Sequence, residues 1–247
     1  MLKVIINGYS GTMGKVLTKC VNEDKDLQLV CGASKDELDV PFKTYHKMSE
    51  VEGLADVIID FSHHSTIEDT LSYATKTKTP LVIATTVFND EELGKINIAS
   101  NIIPIFHSSN MSLGVNVLIK LVKEAAKALN KFDIEIIEKH HNKKLDAPSG
   151  TAVMIANGVK EVLPDSEYVY GRHGRSDKRN SNEIGIHAVR CGTIVGEHTT
   201  IFAGHDEVVE IKHTAQSKDI FAKGSIEAAK FLVKQEAGYY NMNNMLG

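Results

Sequence analysis

Two imidazoles and two ammoniums fall between His140 and Lys144 in the run Glu138-Lys139-His140-His141-Asn142-Lys143-Lys144-Leu145-Asp146-Ala147-Pro148-Ser149-Gly150-Thr151. An imidazole ordinarily titrates near neutrality and so can both give and take a proton, while an ammonium is a compact cationic donor. The run ends where a helical pattern opens at Ala152 and continues to about Val162. Ser149 is an N-cap by type, and Pro148 stiffens the approach to it. The N–H groups of Gly150 and Thr151 would then face outward, at a helix end whose dipole favours an anion. Fixed cations and backbone donors in one short loop suit a small polyanion, most simply a molecule with two carboxylates. A basic loop is also commonly just a solvated surface, and neighbours on an extended chain point to opposite faces. If both lay on extended chain, at most one of His140 and His141 would meet a given ligand, and what surrounds the loop has to decide between the two readings.

The first ninety residues alternate short apolar runs with helical patterns, the sequence form of a parallel sheet with crossover helices. Leu2 to Asn7 reads as a strand, followed by Gly8-Tyr9-Ser10-Gly11-Thr12-Met13-Gly14 and a helix to about Val21. Gly8 would make the tight turn, Gly11 would let backbone approach a pyrophosphate, and Gly14 would let helix and strand pack closely. The spacing is G-x-x-G-x-x-G rather than G-x-G-x-x-G, and three glycines alone indicate only a turn. Their place between a first apolar strand and a helix is what points to a nucleotide. Leu27 to Cys31 is the second strand, and it runs into Gly32-Ala33-Ser34-Lys35-Asp36 without an acid at its end. Ser34 and Lys35 suit the 2′-phosphate of NADP, whereas Asp36 suits the bare ribose of NAD. NADPH is slightly favoured, and both NADPH and NADH are expected to serve. Lys35 fits a solvated surface lysine equally well.

Ala55 to Phe61 and Pro80 to Thr86 read as further strands, the second ending in Ala84-Thr85-Thr86, where open α/β sheets bind ligands. His63-His64 lies in a helix-entry loop with no third ligand at a useful spacing, so no metal site is expected. A helix over Asn89 to Ser100 and a strand over Ile102 to Phe106 lead to His107-Ser108-Ser109-Asn110-Met111. Leu113 to Leu129 is an amphipathic helix, and Phe132 to Lys139 is the strand that delivers the basic loop. Pro164 to Asn182, with Gly171-Arg172-His173-Gly174-Arg175 and Asp177-Lys178-Arg179, reads as a mobile loop or interface segment without chemistry. Beyond it the pattern changes to consecutive strands, Ile184 to Cys191, His198 to Phe202 and Glu207 to Thr214. Such a series implies hairpins in an antiparallel or mixed sheet with helices on one side. Asp219 to about Gln235 is a last helix, and Tyr239 to Gly247 reads as a polar tail with no evident function.

The 247 residues are 42% hydrophobic and 24% charged, an ordinary globular composition. A formal charge of −4 argues against nucleic acid as a partner. Cys20, Cys31 and Cys191 lie far apart, which suggests reduced thiols rather than a disulfide framework or a zinc site. No apolar run approaches the ~20 residues needed to cross a bilayer. A cytoplasmic protein without a leader or membrane partner is the expectation. Composition and spacing together support a two-domain, nucleotide-binding oxidoreductase that sets a cationic loop opposite a nicotinamide.

The run from Glu138 to Thr151 resembles the signature of the dihydrodipicolinate reductases of lysine biosynthesis, His-His-x-x-Lys-x-Asp-Ala-Pro-Ser-Gly-Thr. The resemblance extends to the N-terminal glycine pattern, to Ser108–Met111, to Gly185-Ile186-His187, to Arg190 through His198 and to Ala215-Gln216-Ser217-Lys218. It implies an α/β fold: an N-terminal Rossmann-like parallel sheet plus a C-terminal α+β domain with a mixed or antiparallel sheet. It implies a dinucleotide-binding domain of residues 1–109 and 217–247, and a substrate-binding and oligomerisation domain of residues 110–216, in a homotetramer. The implied reaction reduces 4-hydroxy-tetrahydrodipicolinate to tetrahydrodipicolinate with loss of water, His140 and Lys144 being catalytic. His141, Gly150 and Thr151 would bind the substrate carboxylates, Lys143 would be an extra anchor and Asp146 structural. Gly8, Tyr9, Ser10, Gly11, Thr12, Met13, Lys35, Ala84, Thr85, Thr86, Ser108, Ser109, Asn110 and Met111 would bind NADPH or NADH. Ala84 stands where the family has glycine, and Lys218 where some members have arginine. Ser108–Asn110 and Gln216–Lys218 would be the hinges on which the two domains close. An amino-acid dehydrogenase of the aspartate type, or a non-catalytic NAD(P) sensor, would share the glycine turn but would have no need of His140 and Lys144 together.

Overall fold

A run of β-branched and aliphatic residues, Leu2-Lys3-Val4-Ile5-Ile6-Asn7, forms the first strand, β1, and is buried on both faces from Val4 onward, as the central strand of a parallel sheet must be. The structure is a computed structural model describing residues 1–36, 38–175 and 178–247. Its chain divides into two units, Met1–Leu113 with Lys218–Gly247, and Gly114–Ser217.

In the first unit β1 is followed by α1 (Thr12–Glu23), β2 (Leu27–Ala33), β3 (Lys43–Tyr45), β4 (Val57–Asp60), α2 (Ile67–Thr77), β5 (Leu81–Ile83), α3 (Asp90–Ser100) and β6 (Pro104–His107). β2 runs two residues past its expected end, and β3 is too short to leave a periodic signal. β5 stops at Ile83, so Ala84-Thr85-Thr86 lie beyond the strand rather than on it. Asn89 caps α3 instead of belonging to it, its side chain accepting from Glu92 N while the Glu92 carboxylate accepts from Asn89 N.

The second unit contains α4 (Leu113–Ala128, from its second residue), β7 (Asp133–His140), α5 (Gly150–Val162), β8 (Glu167–Tyr170), β9 (Glu183–Arg190), β10 (Gly196–Ala203) and β11 (Val208–Ala215). The first unit then resumes with α6 (Asp219–Leu232), β12 (Gly238–Tyr240) and α7 (Met242–Leu246). Two expectations are corrected here. The polar stretch after Pro164 contains β8, which pairs in parallel with β9, and Arg179 is anchored to Asp133, Glu135 and the Glu183 carbonyl. Ser176 and Asp177 of that stretch lie outside the described residues. The C-terminal segment is not a tail: β12 adds to the sheet in parallel with β6, and Met242 is buried at 3% exposure.

The first sheet has seven strands in the order β12-β6-β5-β4-β1-β2-β3, every pair parallel. Val4 and Ile6 meet Leu17 and Val21 of α1 and Ile226 and Leu232 of α6 on one face. Ile5 faces the other layer, built from Ile67 and Leu71 of α2 and Ile96 of α3. Each such fully buried aliphatic side chain is worth about 2 kcal/mol in transfer free energy. Crossover helices on both sides make this a doubly wound α/β unit.

The second sheet is mixed, in the order β11-β10-β7-β9-β8. β10 and β11 form a hairpin, but β9 and β10 do not, because β7 lies between them, antiparallel to β10 and parallel to β9. Helices cover one face, where Ile134, Ile136, Ile184, Ile186 and Phe202 pack on Leu118 and Val122 of α4 and Ile155 and Val159 of α5. Among the described residues no helix is long and apolar enough to cross a membrane.

Candidate functional site

The alternation that puts Ile134 and Ile136 into the core of the second unit makes the next two inward positions of β7 Glu138 and His140. The hydrophobic layer thus turns polar at the end of the sheet, where α5 begins. Glu138 has no exposed surface and His140 only 9%. A buried carboxylate must be fully bonded, and this one is. Arg190 grips it with two parallel bonds of 2.8 Å, from NH1 to Oε2 and from NH2 to Oε1. His140 Nδ1 lies 2.6 Å from Oε2, and the Ser149 N–H donates to Oε1 at 2.9 Å. Burial pushes the carboxyl up, but the bonds from Arg190, His140 and Ser149 outweigh it and hold Glu138 below the usual carboxylate range.

Ser149 is the N-cap of α5, its hydroxyl accepting from Ala152 N and lying 3.0 Å from His198 Nε2. His198 packs edge-on against His140 with ring centres 5.2 Å apart. Burial first, then the neighbouring His140, push His198 down to about 4, so its ring is neutral at physiological pH. Gly150 is exposed at the head of α5, and a Cβ there would meet nothing within 4 Å. His141 lies just past the end of β7, and its Nδ1 is buried without a hydrogen bond to any described residue. Lys144 places Nζ 2.9 Å from Asp146 Oδ1, and that bond lowers the Asp146 carboxyl. The structure therefore brings His140 beside the N-terminus of α5, where Gly150 and Thr151 stand. His141 and the Lys144–Asp146 pair belong to the turn that follows. Glu138 and Arg190 are the additions sequence reasoning missed, although Glu138 stands two residues before His140 on a strand and so had to share its face.

In the first unit a parallel sheet brings the carboxyl ends of all its strands to one edge, and the expected nucleotide residues follow β1, β2, β5 and β6 there. Cross-links between strand ends shape that edge: Gly8 N to Ala33 O (2.7 Å), Phe61 N to Asn7 O (3.0 Å), Ala84 N to Asp60 O (2.9 Å) and Ser108 N to Ile83 O (3.3 Å). The three glycines differ in cause. Gly8 has φ +84°, and a Cβ there would come within 2.6 Å of Phe61 O. A Cβ on Gly14 would collide with Gly8 O. At Gly11 the nearest atom would be an ordinary 3.4 Å away, so the protein's own packing does not require a glycine, and a close-lying ligand would explain one. Gly11 also begins α1 without a side-chain cap and without an acid in the first turn, leaving that helix end suited to phosphate.

Gly8, Ser10, Gly11, Ser34, Lys35 and Asp36 line a cleft of about 550 Å³, together with His46 and Lys47 past β3. These last two had no legible signal. Tyr9, at 2% exposure, turns its ring into the core against Phe42, so only its backbone can serve a ligand, and Met111 is likewise buried at 2%. Thr85 is buried with Oγ1 3.1 Å from Ser62 O and 3.3 Å from Asp60 Oδ2, while Thr86 is exposed. Burial raises the Asp60 carboxyl. Asn110 accepts at Oδ1 from Ser112 N and donates its own N–H to Ser108 Oγ, which fixes the turn after β6. Among the described residues no group of three His, Cys, Asp or Glu could hold a metal ion.

Two family models match the chain: dihydrodipicolinate reductase, N-terminus, over residues 2–111, and dihydrodipicolinate reductase, C-terminus, over residues 114–246. The 4-hydroxy-tetrahydrodipicolinate reductase of Caldanaerobacter subterraneus is 53% identical over 247 residues, covering 100% of this chain and 98% of the relative. That of Clostridium tetani is 48% identical over 252 residues, covering 100% and 97%. Among solved structures, a dipicolinate-bound dihydrodipicolinate reductase from Paenisporosarcina sp. superimposes with TM-score 0.83 at 24% identity, covering 99% of both chains, a likeness of fold.

Proposed function

The chain belongs to the dihydrodipicolinate reductase family, and from that premise we propose how its residues divide the work. Its reaction is the reduction of 4-hydroxy-tetrahydrodipicolinate to tetrahydrodipicolinate, with loss of water, by NADH or NADPH. The reduced nicotinamide supplies a hydride. The protein must hold a substrate with two carboxylates, deliver a proton and keep both reactants oriented.

His140 is the proton donor, and the Lys144 ammonium is the second donor. His141, with its orphaned Nδ1, and the N-terminal end of α5 at Gly150 and Thr151 take the carboxylates, an arrangement in which an anion meets aligned backbone dipoles. The first unit binds the dinucleotide: Gly8 to Met13 at the pyrophosphate, Lys35 at the adenosine end, and Ala84–Thr86 with Ser108–Met111 nearer the nicotinamide. Lys35 and Lys47 in the cleft favour a 2′-phosphate and Asp36 opposes it, so both cofactors are accepted. The second unit binds substrate, and the sheet face its helices leave uncovered joins four copies into a cytoplasmic homotetramer. The observation that carries this reading is the buried His140 imidazole at the end of β7, bonded to Glu138 and beside the N-terminus of α5.

The test is NADPH oxidation dependent on the product of dihydrodipicolinate synthase, repeated with His140→Ala and Lys144→Ala. The expected result is a fall in turnover of about 10²–10⁴-fold in each variant with NADPH affinity nearly unchanged. Turnover equal to the parent in both variants would remove the assignment.

A further inference from the structure

Glu138 hydrogen-bonds to both halves of the substrate site. Its Oε2 meets His140 Nδ1 and its Oε1 takes the N–H of Ser149, the residue that caps α5. Arg190 closes both oxygens from the far side and also donates to the Asp146 carbonyl at 2.7 Å, tying the basic loop to the same carboxylate. An ionised carboxylate only accepts, so the hydrogen between Glu138 and His140 belongs to Nδ1. That leaves Nε2 as the working nitrogen. Nε2 bonds no described residue and lies against Gly196, where a Cβ would sit 3.1 Å away.

Resting on the reading of His140 as the proton donor, we propose that Glu138, locked by Arg190, is a positioning residue that fixes the Nδ1–H tautomer of His140 and aims Nε2 at the substrate while registering the imidazole against the N-terminus of α5. In the step it serves, the Nε2–H bond breaks as the electron-rich carbon of the substrate takes the proton. The imidazole is left neutral, with Nδ1–H still donated to Glu138. Arg190 keeps the buried carboxylate ionised and balances its charge, so the dyad orients His140 without adding net charge to a site that must attract a dianion. A side chain at Gly196 would start 3.1 Å from the nitrogen that carries the proton, closer than most such contacts.

Two measurements decide it. The first is the tautomer of ring-labelled His140 in the wild-type enzyme at alkaline pH, read by ¹⁵N NMR, with Nδ1–H expected. The second is the kinetics of Glu138→Gln, whose amide nitrogen would donate to Nδ1 and impose the opposite tautomer. There kcat should fall about a hundredfold or more, with KM for substrate changed by less than about threefold and NADPH affinity unchanged. Arg190→Lys, which keeps the carboxylate and a cation, should retain the Nδ1–H tautomer and lose less than about tenfold in kcat. Wild-type kcat in Glu138→Gln, or Nε2–H in the wild type, overturns the proposal. The tautomer decides even if Glu138→Gln fails to fold. Absence of substrate-dependent NADPH oxidation by the wild type would instead overturn the functional reading itself.

Discussion

His198 offers a stability measurement whose size follows from its surroundings. The ring is 4% exposed, packed on His140 and bonded to Ser149 Oγ, and its ionisation is pushed from 6.5 down to about 4. Between those values the unfolded chain binds a proton that the folded chain refuses, so stability rises with pH across the window. The contribution is complete above about pH 6.5 and is lost as pH falls toward 4. At about 1.4 kcal/mol per pH unit, roughly 2 kcal/mol should disappear between about pH 7 and pH 5, and about 3 kcal/mol by pH 4. The perturbation is His198→Gln, which cannot ionise and whose amide can still meet the Ser149 hydroxyl. Urea unfolding of both proteins at half-unit steps from about pH 7.5 to 4.5, followed by a probe in the second unit, isolates this residue because every other group titrates in both. The wild-type curve should fall below the variant's slope by the amount stated. Parallel curves, or an NMR titration placing His198 near 6.5, would show that the ring is not desolvated as described.

Other tests bear on the first unit. Val87 is 84% exposed with φ +69°, a conformation a β-branched residue adopts only under strain, so Val87→Asn should stabilise by about 1 kcal/mol. An unchanged urea midpoint would dispose of the strain. Gly14→Ala should cost about 1–3 kcal/mol because its Cβ collides with Gly8 O, and it should weaken NADPH binding in calorimetry. Parent-like affinity would separate the glycine turn from the cofactor. Asp36→Ala should raise the preference for NADPH over NADH, measured as the ratio of kcat/KM values, and an unaltered ratio would mean that Asp36 does not face the 2′ position.

The strand–glycine turn–helix opening was legible because periodicity changes sharply there and Gly8 and Gly14 each have a backbone cause. Ser149 as a cap was legible for a similar reason, since its bond is to its own helix. What escaped was non-local. β3, β8 and β12 are three or four residues long and exist only because a partner strand supplies their hydrogen bonds, so no window of sequence contains their reason. The same holds at the site. His140 and Lys144 stand out by type, whereas Glu138 acquires meaning only when Arg190, fifty-two positions later, is brought across β7 by β9.

The first unit is discontinuous, and that shapes how a ribosome must deliver it. While residues up to Leu113 are the only ones made, β6 has an unpaired edge and the apolar face of β1 lacks Ile226 and Leu232. The second unit is self-contained in sequence and can condense as soon as Ser217 has emerged, ahead of the half-built sheet that preceded it. The nascent chain therefore carries an incomplete nucleotide fold through the synthesis of more than a hundred residues, a natural client for a chaperone until α6 and β12 arrive to finish it.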